Sequence, residues 1–215
     1  MIINAHAKKI LCFGDSLTWG NHFEGNRFPV EQRWTFMLQE HLWEKFDIIE
    51  EWLRARTTNM EDPARPGRNG FSYFCPCFES LGGVDCLILF LGTNDVKKKF
   101  HLSWVDILKN IELYLDFVSQ YDKDNSREPT KIVLVTPPQI NKEYLAADSS
   151  FGQASENSLA QLALLEEELS SRNGYTCVNL YGQIIWNKRD GVHLEFEDNQ
   201  VISNLLFEAI HTIFI

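Results

Sequence analysis

The sequence has few basic residues and no long hydrophobic run, and each shortage excludes a class of protein. Twenty Lys and Arg stand against thirty Asp and Glu, which gives a formal net charge of −10 and a pI of about 5.1. A surface with this charge repels nucleic-acid phosphates and anionic lipids. We therefore expect a protein that binds neither nucleic acid nor membranes.

Two further absences concern the location of the chain in the cell. No apolar run approaches the roughly 18 residues that a transmembrane helix needs. The N-terminal stretch MIINAHAKKILCFGDSL also lacks the basic start and the apolar segment of about 7–15 residues that mark a secretory signal. The expected location is therefore the cytoplasm.

Metal-binding and disulfide patterns are missing as well. The cysteines are odd in number, and most of them stand in apolar segments, where a thiol behaves as a small hydrophobic group. The Cys-Pro-Cys triplet does not have the usual spacing of a zinc site, and no histidine follows it at ligand distance. We expect reduced thiols and no metal site. The cysteines are Cys12, Cys75, Cys77, Cys86 and Cys177.

The apolar content of the sequence is sufficient for one folded domain. Hydrophobic residues make up 44% of the 215 residues and aromatic residues 13%, which is well above the content of a disordered chain. A chain of this length commonly folds as one domain, and we find no internal repeat. We expect a single domain over residues 1–215.

Short apolar runs rich in β-branched residues alternate with longer amphipathic stretches. This alternation is typical of strands and helices wound into a parallel sheet, so the expected fold class is α/β. Ser103 is a predicted helix start and Gly174 a predicted helix stop. The predicted strands are residues 8–13, 47–52, 85–91, 131–136 and 176–180. The predicted helices are residues 33–45, 70–81, 103–121, 154–172 and 197–214.

Three longer loops leave the carboxyl ends of predicted strands, at residues 20–32, 57–69 and 137–153. Open α/β sheets bind their ligands at that edge. We expect these loops to form the mouth and walls of a site.

The first predicted strand runs straight into Gly14-Asp15-Ser16-Leu17. Ser16 therefore lies at a strand-to-helix turn, where the helix N-terminus favours a developing negative charge. This position suits a nucleophile. Gly-Asp-Ser is also an ordinary combination for a turn and a helix N-cap, so the motif indicates catalysis only together with partners.

A candidate base follows the last predicted strand, in Asp190-Gly191-Val192-His193. With a three-residue spacing, the Asp190 carboxylate can reach the imidazole of the same turn. It can then accept the Nδ1 proton of His193 and leave Nε2 to deprotonate Ser16. The alternative is an aspartate that caps the last helix beside an exposed histidine.

A third motif, Gly92-Thr93-Asn94-Asp95, directly follows the third predicted strand. The Asn94 amide can direct donors into the crevice at this edge and bind an oxyanion. The alternative is a simple turn. Three strand-end motifs that converge on one edge are much less expected by chance than any one of them.

Taken together, these motifs resemble the GDSL or SGNH hydrolases. The resemblance runs from Lys9 to about Val105 and again around residues 190–194. It implies a three-layer α/β/α fold with a flavodoxin-like parallel sheet of about five strands. It also implies a nucleophilic serine, an asparagine donor to the oxyanion and an Asp-x-x-His pair, which here are Ser16, Asn94, Asp190 and His193.

Longer strings narrow the resemblance to bacterial arylesterases, a subgroup that includes an esterase able to transfer acyl groups in water. These strings are ILCFGDSLTWG at 10–20, RWTFML at 33–38, ARTTN at 55–59 and LGTNDVK at 91–97. The resemblance implies a serine esterase that hydrolyses or transfers short acyl groups of small carboxylic or aryl esters without a metal or organic cofactor. A homo-oligomer is compatible with the sequence.

The second family motif is where the sequence departs from the pattern. The family usually has a glycine after the second strand whose backbone N–H joins the oxyanion hole, and Ala55 takes that position. Alanine keeps the N–H, but a positive φ at this residue would cost roughly 1–2 kcal/mol. Trp52 and Arg54 stand where similar sequences tend to have small residues. Gly67 is a rival candidate for the backbone donor.

Apolar side chains flank the expected catalytic residues. Leu17, Trp19 and Val192 are candidates for the walls of the acyl or alcohol pocket, and ordinary core packing is the alternative for each. Lys97 follows the Asn94 motif, but it begins a run of three lysines, so a solvated basic turn is its expected role.

Other functions also fit these motifs. Within the same family, the triad supports carbohydrate O-deacetylase, lysophospholipase or thioesterase activity. Outside it, the Ser16 turn can cradle an anion in a binding module that breaks no bond.

Overall fold

Five segments rich in Ile, Leu, Val and Phe form one fully parallel sheet in the computed structural model, which describes residues 6–22, 25–146 and 149–214. The strands are β1 Lys8–Gly14, β2 Phe46–Trp52, β3 Cys86–Phe90, β4 Lys131–Val135 and β5 Thr176–Val178. Their order across the sheet is β2-β1-β3-β4-β5. This sheet confirms the predicted α/β class and the predicted number of strands.

Six α-helices connect or follow the strands in the described part of the chain. The helices are α1 Ser16–Trp19, α2 Trp34–Leu42, α3 Gly70–Ser80, α4 Trp104–Asp124, α5 Gln153–Asn173 and α6 Phe196–Phe214. α1 is a single turn and is not among the predicted helices. α2 ends before its predicted boundary because Trp43 takes a φ of 54° and the chain continues as a short 3-10 helix, Trp43–Lys45.

The two predicted helix signals are confirmed. Ser103 caps α4, and its side chain and that of Asp106 each accept a hydrogen bond from the other's backbone N–H, which forms a capping box. Gly174 follows α5 with a φ of 69°, a conformation that glycine adopts without strain. α4 continues to Asp124, beyond the predicted end at residue 121, and Tyr121 in its last turn packs against Phe78 of α3 with ring centroids 5.3 Å apart.

The sheet is covered on its faces by helices, which explains the apolar strands. All five residues of β3 are buried, since this strand lies between β1 and β4. α2 packs against α6, while α3 and α5 pack against α4. Among the described residues, no helix is long and apolar enough to cross a membrane.

The strand order places a crevice at the carboxyl ends of β1 and β3. The chain leaves β1 toward β2 on one side and later adds β3 on the other side, so its winding direction reverses at this point. Ligand sites of open α/β sheets lie at such reversals. Ser16 follows β1 and Asn94 follows β3, so both of these predicted site residues stand at the reversal.

Three sequence features fall partly or wholly outside the described residues. Residues 1–5, at the start of the N-terminal stretch, are outside, as are residues 23–24 of loop 20–32 and residues 147–148 of loop 137–153. The five cysteines are free thiols, and Cys77 of the Cys-Pro-Cys triplet is buried within α3.

Candidate active site

The turn between β1 and α1 presents Ser16 at a helix N-terminus. Asp15 caps this helix, and its Oδ1 accepts a hydrogen bond of 2.9 Å from the backbone N–H of Leu17. Gly14 has no space for a side chain, because an added Cβ would lie 2.0 Å from Thr18 Oγ1. Ser16 is itself only 7% exposed, so the turn holds its hydroxyl at the bottom of the crevice.

Asp190 and His193 are joined by a hydrogen bond of 2.7 Å between Oδ2 and Nδ1. The other carboxylate oxygen of Asp190 accepts the backbone N–H groups of Val192 at 2.9 Å and His193 at 3.0 Å. Burial opposes ionisation of Asp190, but these hydrogen bonds and the His193 charge hold its pKa below its usual range. Asp190 is therefore an ionised carboxylate that orients the imidazole.

Asn187 organises the Asp190–His193 turn and was not identified from the sequence. Its Oδ1 accepts the backbone N–H groups of Arg189 at 2.7 Å and Asp190 at 2.9 Å. Its Nδ2 donates to Asp190 Oδ1 at 3.0 Å and to the His193 carbonyl at 2.7 Å. The side chain is 3% exposed, so it acts as a fixed internal brace. Its only sequence signal is an asparagine three residues before the aspartate.

Gly191 allows this turn to pack closely against the backbone of Asn141. Its φ is 69°, and an added Cβ would lie 2.6 Å from the Asn141 carbonyl oxygen. Its own carbonyl accepts the Asn141 N–H at 3.3 Å. Any other residue would both strain the backbone and push the turn away from residue 141.

A cavity of about 290 Å³ brings Ser16, Asp190 and His193 together. The hydrogen bonds of the described residues do not include one from the Ser16 hydroxyl to His193. Such catalytic contacts are often long in ligand-free proteins and tighten when substrate binds. The other residues that line the cavity are Arg54, Ala55, Arg65, Thr93, Asn94, Lys97, Ser149, Ser150, Phe151 and Val192.

Ala55 lines this cavity with its backbone in the left-handed region, at a φ of 64°. The position therefore has the conformation in which alanine is strained by about 1–2 kcal/mol relative to glycine. Among the described residues, the N–H groups of Ser16 and Ala55 donate to no backbone acceptor outside the regular elements. Both are available to a bound oxygen atom.

Arg56 braces the loop that carries Ala55. Its Nη1 donates to the carbonyls of Gly14 at 2.9 Å and Glu51 at 2.8 Å, which joins the ends of β1 and β2. Its guanidinium lies 4.1 Å from the ring centroid of Phe13. Burial lowers the pKa of Arg56, and electrostatic interactions with Tyr114, Glu51, Tyr73 and Asp15 oppose this shift.

The Asn94 amide is held by three contacts. Its Nδ2 donates to Asp15 Oδ2 and to the Arg56 carbonyl, each at 3.0 Å, and its Oδ1 accepts from Lys97 Nζ at 2.6 Å. Both amide protons therefore have partners in the ligand-free site. An oxyanion bound to Asn94 Nδ2 would therefore share an amide proton with Asp15 or with the Arg56 carbonyl. Burial raises the pKa of Asp15 to about 6.

Asp95, the last residue of the third motif, joins this loop to the Ala55 loop. Its carboxylate accepts the Thr58 backbone N–H at 2.9 Å and 3.0 Å, and the Thr58 hydroxyl at 2.5 Å. Tyr114 of α4 donates to the Thr58 carbonyl at 2.5 Å. These bonds fix the distance between the backbone donor of Ala55 and the amide of Asn94.

Lys97 departs from its expected role as a solvated lysine. It lines the cavity, donates to Asn94 and lies 5.5 Å from the ring centroid of Phe151. Burial lowers its pKa to about 8. Lys98 and Lys99, the other two residues of the run, are exposed, so only the first lysine turns inward.

The three apolar candidates for the pocket wall separate in the structure. Val192 lines the cavity. Leu17 does not line it, because its side chain is 1% exposed and belongs to the hydrophobic core. Trp19 is also not among the lining residues; it packs against Trp52 with ring centroids 5.9 Å apart. Leu17 is therefore a core residue, and Trp19 packs against Trp52 and Arg54 instead of lining the cavity.

Stacking explains the two large residues of the second motif. The Arg27 guanidinium lies 4.3 Å from the ring centroid of Trp52, and the Arg54 guanidinium lies 4.8 Å from that of Trp19. Trp52 is therefore used in a stack of aromatic and guanidinium groups outside the cavity, while Arg54 reaches the cavity itself.

Gly67 is not positioned as a backbone donor to this cavity. It is exposed, it is not among the lining residues, and its N–H donates to Glu61 Oε1 at 2.6 Å. The described residues also contain no group of three His, Cys, Asp or Glu side chains that could hold a metal ion.

Comparison with known proteins identifies similar folds among solved structures. No protein-family model and no curated protein matches the chain. An aryl esterase of M. smegmatis is 31% identical, with a TM-score of 0.84 over 96% of this chain and 99% of the other. The carbohydrate acetylesterase Est24 of Sinorhizobium meliloti is 28% identical, with a TM-score of 0.85 over 96% and 100%. A member of the lipolytic G-D-S-L family of Veillonella parvula shares the fold at 15% identity, with a TM-score of 0.69 over 95% and 99%.

Proposed function

This chain belongs to the GDSL or SGNH family of hydrolases and is an ester hydrolase of that type, and we propose that it uses Ser16, His193 and Asp190 as a catalytic triad. Its substrates in this proposal are short acyl esters of small alcohols or phenols, which it hydrolyses or uses for acyl transfer. In this proposal the protein binds a small-molecule ester, and the reaction needs no cofactor.

The hydrogen bond of 2.7 Å between Asp190 and His193, in the cavity that Ser16 also lines, is the observation that carries this proposal. The ionised carboxylate keeps the proton on Nδ1, so Nε2 remains an acceptor. A neutral imidazole with a free Nε2 is the group that deprotonates a serine hydroxyl.

In the first step, Ser16 Oγ attacks the ester carbonyl carbon while His193 Nε2 takes the hydroxyl proton. The carbonyl oxygen becomes an oxyanion, which the N–H groups of Ser16 and Ala55 and the Nδ2 of Asn94 stabilise. The bond to the leaving alcohol then breaks. His193 transfers its proton to that alcohol, and the acyl group remains on Ser16.

In the second step, water or another alcohol attacks the acyl-enzyme. His193 again takes the proton of the attacking group and returns it to Ser16 Oγ as the acyl product leaves. Attack by water gives hydrolysis, and attack by an alcohol gives acyl transfer. The ratio of the two follows from how well each nucleophile occupies the cavity.

The test is a Ser16→Ala variant assayed for nitrophenol release from 4-nitrophenyl acetate. We expect kcat/KM to fall by at least about 10³-fold, because the covalent route is lost. Ser150→Ala is the matched control, since Ser150 lines the same cavity without a role in the proposal. Circular dichroism establishes that both variants are folded. Undiminished turnover in folded Ser16→Ala protein would overturn the triad.

A second candidate function is carbohydrate O-deacetylation, favoured by the likeness to Est24, which is described as a carbohydrate acetylesterase. The cavity of about 290 Å³ suits an acetyl group better than a long acyl chain. Rates with 4-nitrophenyl acetate, an acetylated sugar, a long-chain lysolipid and an acyl thioester would rank the family's activities. A folded protein whose Ser16 never reacts with a fluorophosphonate would instead favour a binding module.

A further inference from the structure

Positively charged side chains outnumber carboxylates in the wall of the cavity, although the whole chain is acidic. Arg54, Arg65 and Lys97 line it, and the formal charge of the chain is −10. Among the described residues that line it, Asp190 supplies the only carboxylate, and that carboxylate is hydrogen-bonded to His193. A site with this balance attracts anions and concentrates them against the charge of the surrounding surface.

We propose that the natural ester carries an anionic group, and that Arg54 and Arg65 bind it while Ser16 attacks the ester carbonyl. This inference rests on the proposed function and adds the substrate class to it. The anionic group is a carboxylate or a group of similar charge, on the acyl or the alcohol part of the ester.

Arg54 is positioned before any ligand binds. Its guanidinium lies over the ring of Trp19, and one of its Nη atoms, Nη1, donates to the Gly25 carbonyl at 3.4 Å. Trp19 in turn packs against Trp52. A planar guanidinium held against an aromatic ring keeps edge N–H groups for an anion and loses little conformational entropy when the anion binds.

Arg65 lies near a carboxylate that is already paired. The backbone N–H of Arg65 donates to the Asp62 carbonyl at 2.8 Å, while the Asp62 carboxylate lies 2.5 Å from Lys99 Nζ. Arg65 is an exposed residue of the loop that follows β2, and it lines the cavity. Its long side chain can contact a ligand that enters the cavity from solvent.

Lys97 adds a third positive charge deeper in the same wall. Burial lowers the pKa of Lys97, the charges of Asp15 and Asp62 raise it, and those of Lys99 and Arg65 lower it. Mutual repulsion of cations is unfavourable in a ligand-free cavity, and an anion would relieve it. The cluster is therefore better suited to an occupied site than to an empty one.

Two pairs of matched esters test the inference and locate the charge. The first pair is 4-acetoxybenzoate and its methyl ester, with the charge on the alcohol part. The second is mono-4-nitrophenyl succinate and its methyl ester, with the charge on the acyl part. We expect kcat/KM, measured as release of the phenol, to favour the charged member of at least one pair about tenfold, as one charge-assisted hydrogen bond would produce.

Charge-neutral variants connect the preference to the arginines. Arg54→Gln and Arg65→Gln should each reduce the charged-to-neutral ratio of kcat/KM several-fold. Arg172→Gln, which removes the same charge from the exposed end of α5, should leave the ratio as in the wild type. Raising the ionic strength should also reduce the ratio, because salt screens partly exposed charges.

The outcomes separate this inference from the proposed function. Equal rates for the two members of both pairs, or a preference that survives both arginine substitutions, would overturn the anionic substrate and leave the triad intact. If no ester is hydrolysed, the proposed function fails, and calorimetry with 4-hydroxybenzoate and its methyl ester still decides the inference. Tighter binding of the charged compound, reduced in Arg54→Gln, supports it; equal binding overturns it.

Discussion

The Lys97 ammonium lies 2.6 Å from the side-chain oxygen of Asn94, and this contact determines which way the Asn94 amide faces. An ammonium group only donates hydrogen bonds, so the amide oxygen must point to Lys97 and the amide nitrogen to Asp15 and the Arg56 carbonyl. Lys97 thereby positions the donor that the proposed mechanism uses for the oxyanion.

Replacing Lys97 with Met should therefore lower the turnover of a neutral ester. The Asn94 oxygen would lose its charged donor, and the amide would no longer be held in one orientation. We expect kcat for 4-nitrophenyl acetate to fall about tenfold, the effect of one lost hydrogen bond, with KM within about twofold. Lys109→Met, on the exposed face of α4, is the control. A change in KM alone would argue against a positioning role.

Ala55→Gly should stabilise the protein without loss of activity. Glycine relieves the strain of the positive φ, about 1–2 kcal/mol, but increases the entropy of the unfolded chain by about 0.4–1 kcal/mol. The expected net gain is about 0.5–1 kcal/mol, measured as the free energy of unfolding in urea. The backbone N–H remains, so esterase activity is retained.

Ala160→Gly, inside α5, provides the comparison for that measurement. A helix interior has no positive φ to relieve, so this variant should lose about 1 kcal/mol. If both glycine variants are destabilised equally, the alanine side chain does not strain the backbone at position 55.

Glu166 should make the protein less stable as the pH rises. Burial raises the pKa of its carboxyl well above the ordinary value, and neither carboxyl oxygen has a hydrogen-bond partner among the described residues. The native state therefore keeps a proton that the unfolded chain releases above about pH 4.5, the ordinary value. The stability that the protonated Glu166 carboxyl contributes is fully present below about pH 4.5. It is lost as the pH rises toward the higher pKa of this carboxyl in the native state.

Glu166→Met removes the buried carboxyl and should be more stable than the wild type by about 1–3 kcal/mol at pH 8. The difference should shrink at pH 5. Urea unfolding at the two pH values measures it, with the exposed Glu168→Met as control. A difference in stability that does not change with pH would show that the Glu166 carboxylate is hydrogen-bonded and ionised in the native protein.

The preference for a charged ester should weaken above about pH 8. Burial is the main cause that lowers the pKa of Lys97 to about 8, and the positive charges of Lys99 and Arg65 also lower it. The negative charges of Asp15 and Asp62 oppose this shift. Below that pH the lysine is charged and attracts an anion; above it the charge is lost. The charged-to-neutral ratio of kcat/KM should therefore be lower at pH 9 than at pH 7. A constant ratio would show that Lys97 does not help to bind the anionic group.

The parts of the site that were predictable are those set by local sequence. Asp190 and His193 lie three residues apart, so their hydrogen bond follows from one turn of chain. Ser16 and Asn94 directly follow apolar runs, and the parallel sheet brings the ends of such runs to one edge. The fold class was predictable for the same reason, because alternating strands and helices leave few other arrangements.

The parts that were not predictable depend on contacts between distant segments. Lys97 was assigned to a solvated turn because its neighbours are lysines, whereas its burial comes from Phe151 and Asn94. Leu17 follows Ser16 in sequence, but its side chain is buried in the core. Trp52 looks anomalous in its motif until Arg27, from another loop, is seen to stack on it. Side-chain packing across loops leaves no local pattern in the sequence.

The segment that carries His193 follows the shortest strand of the sheet. β5 has three residues and pairs with β4 alone, and the chain then continues to His193 without a helix between them. Ser16 and Asn94, by contrast, follow β1 and β3 inside the sheet. We therefore expect mild heating to separate His193 from Ser16 before the bulk of the secondary structure melts, so that esterase activity is lost at a lower temperature than the fold.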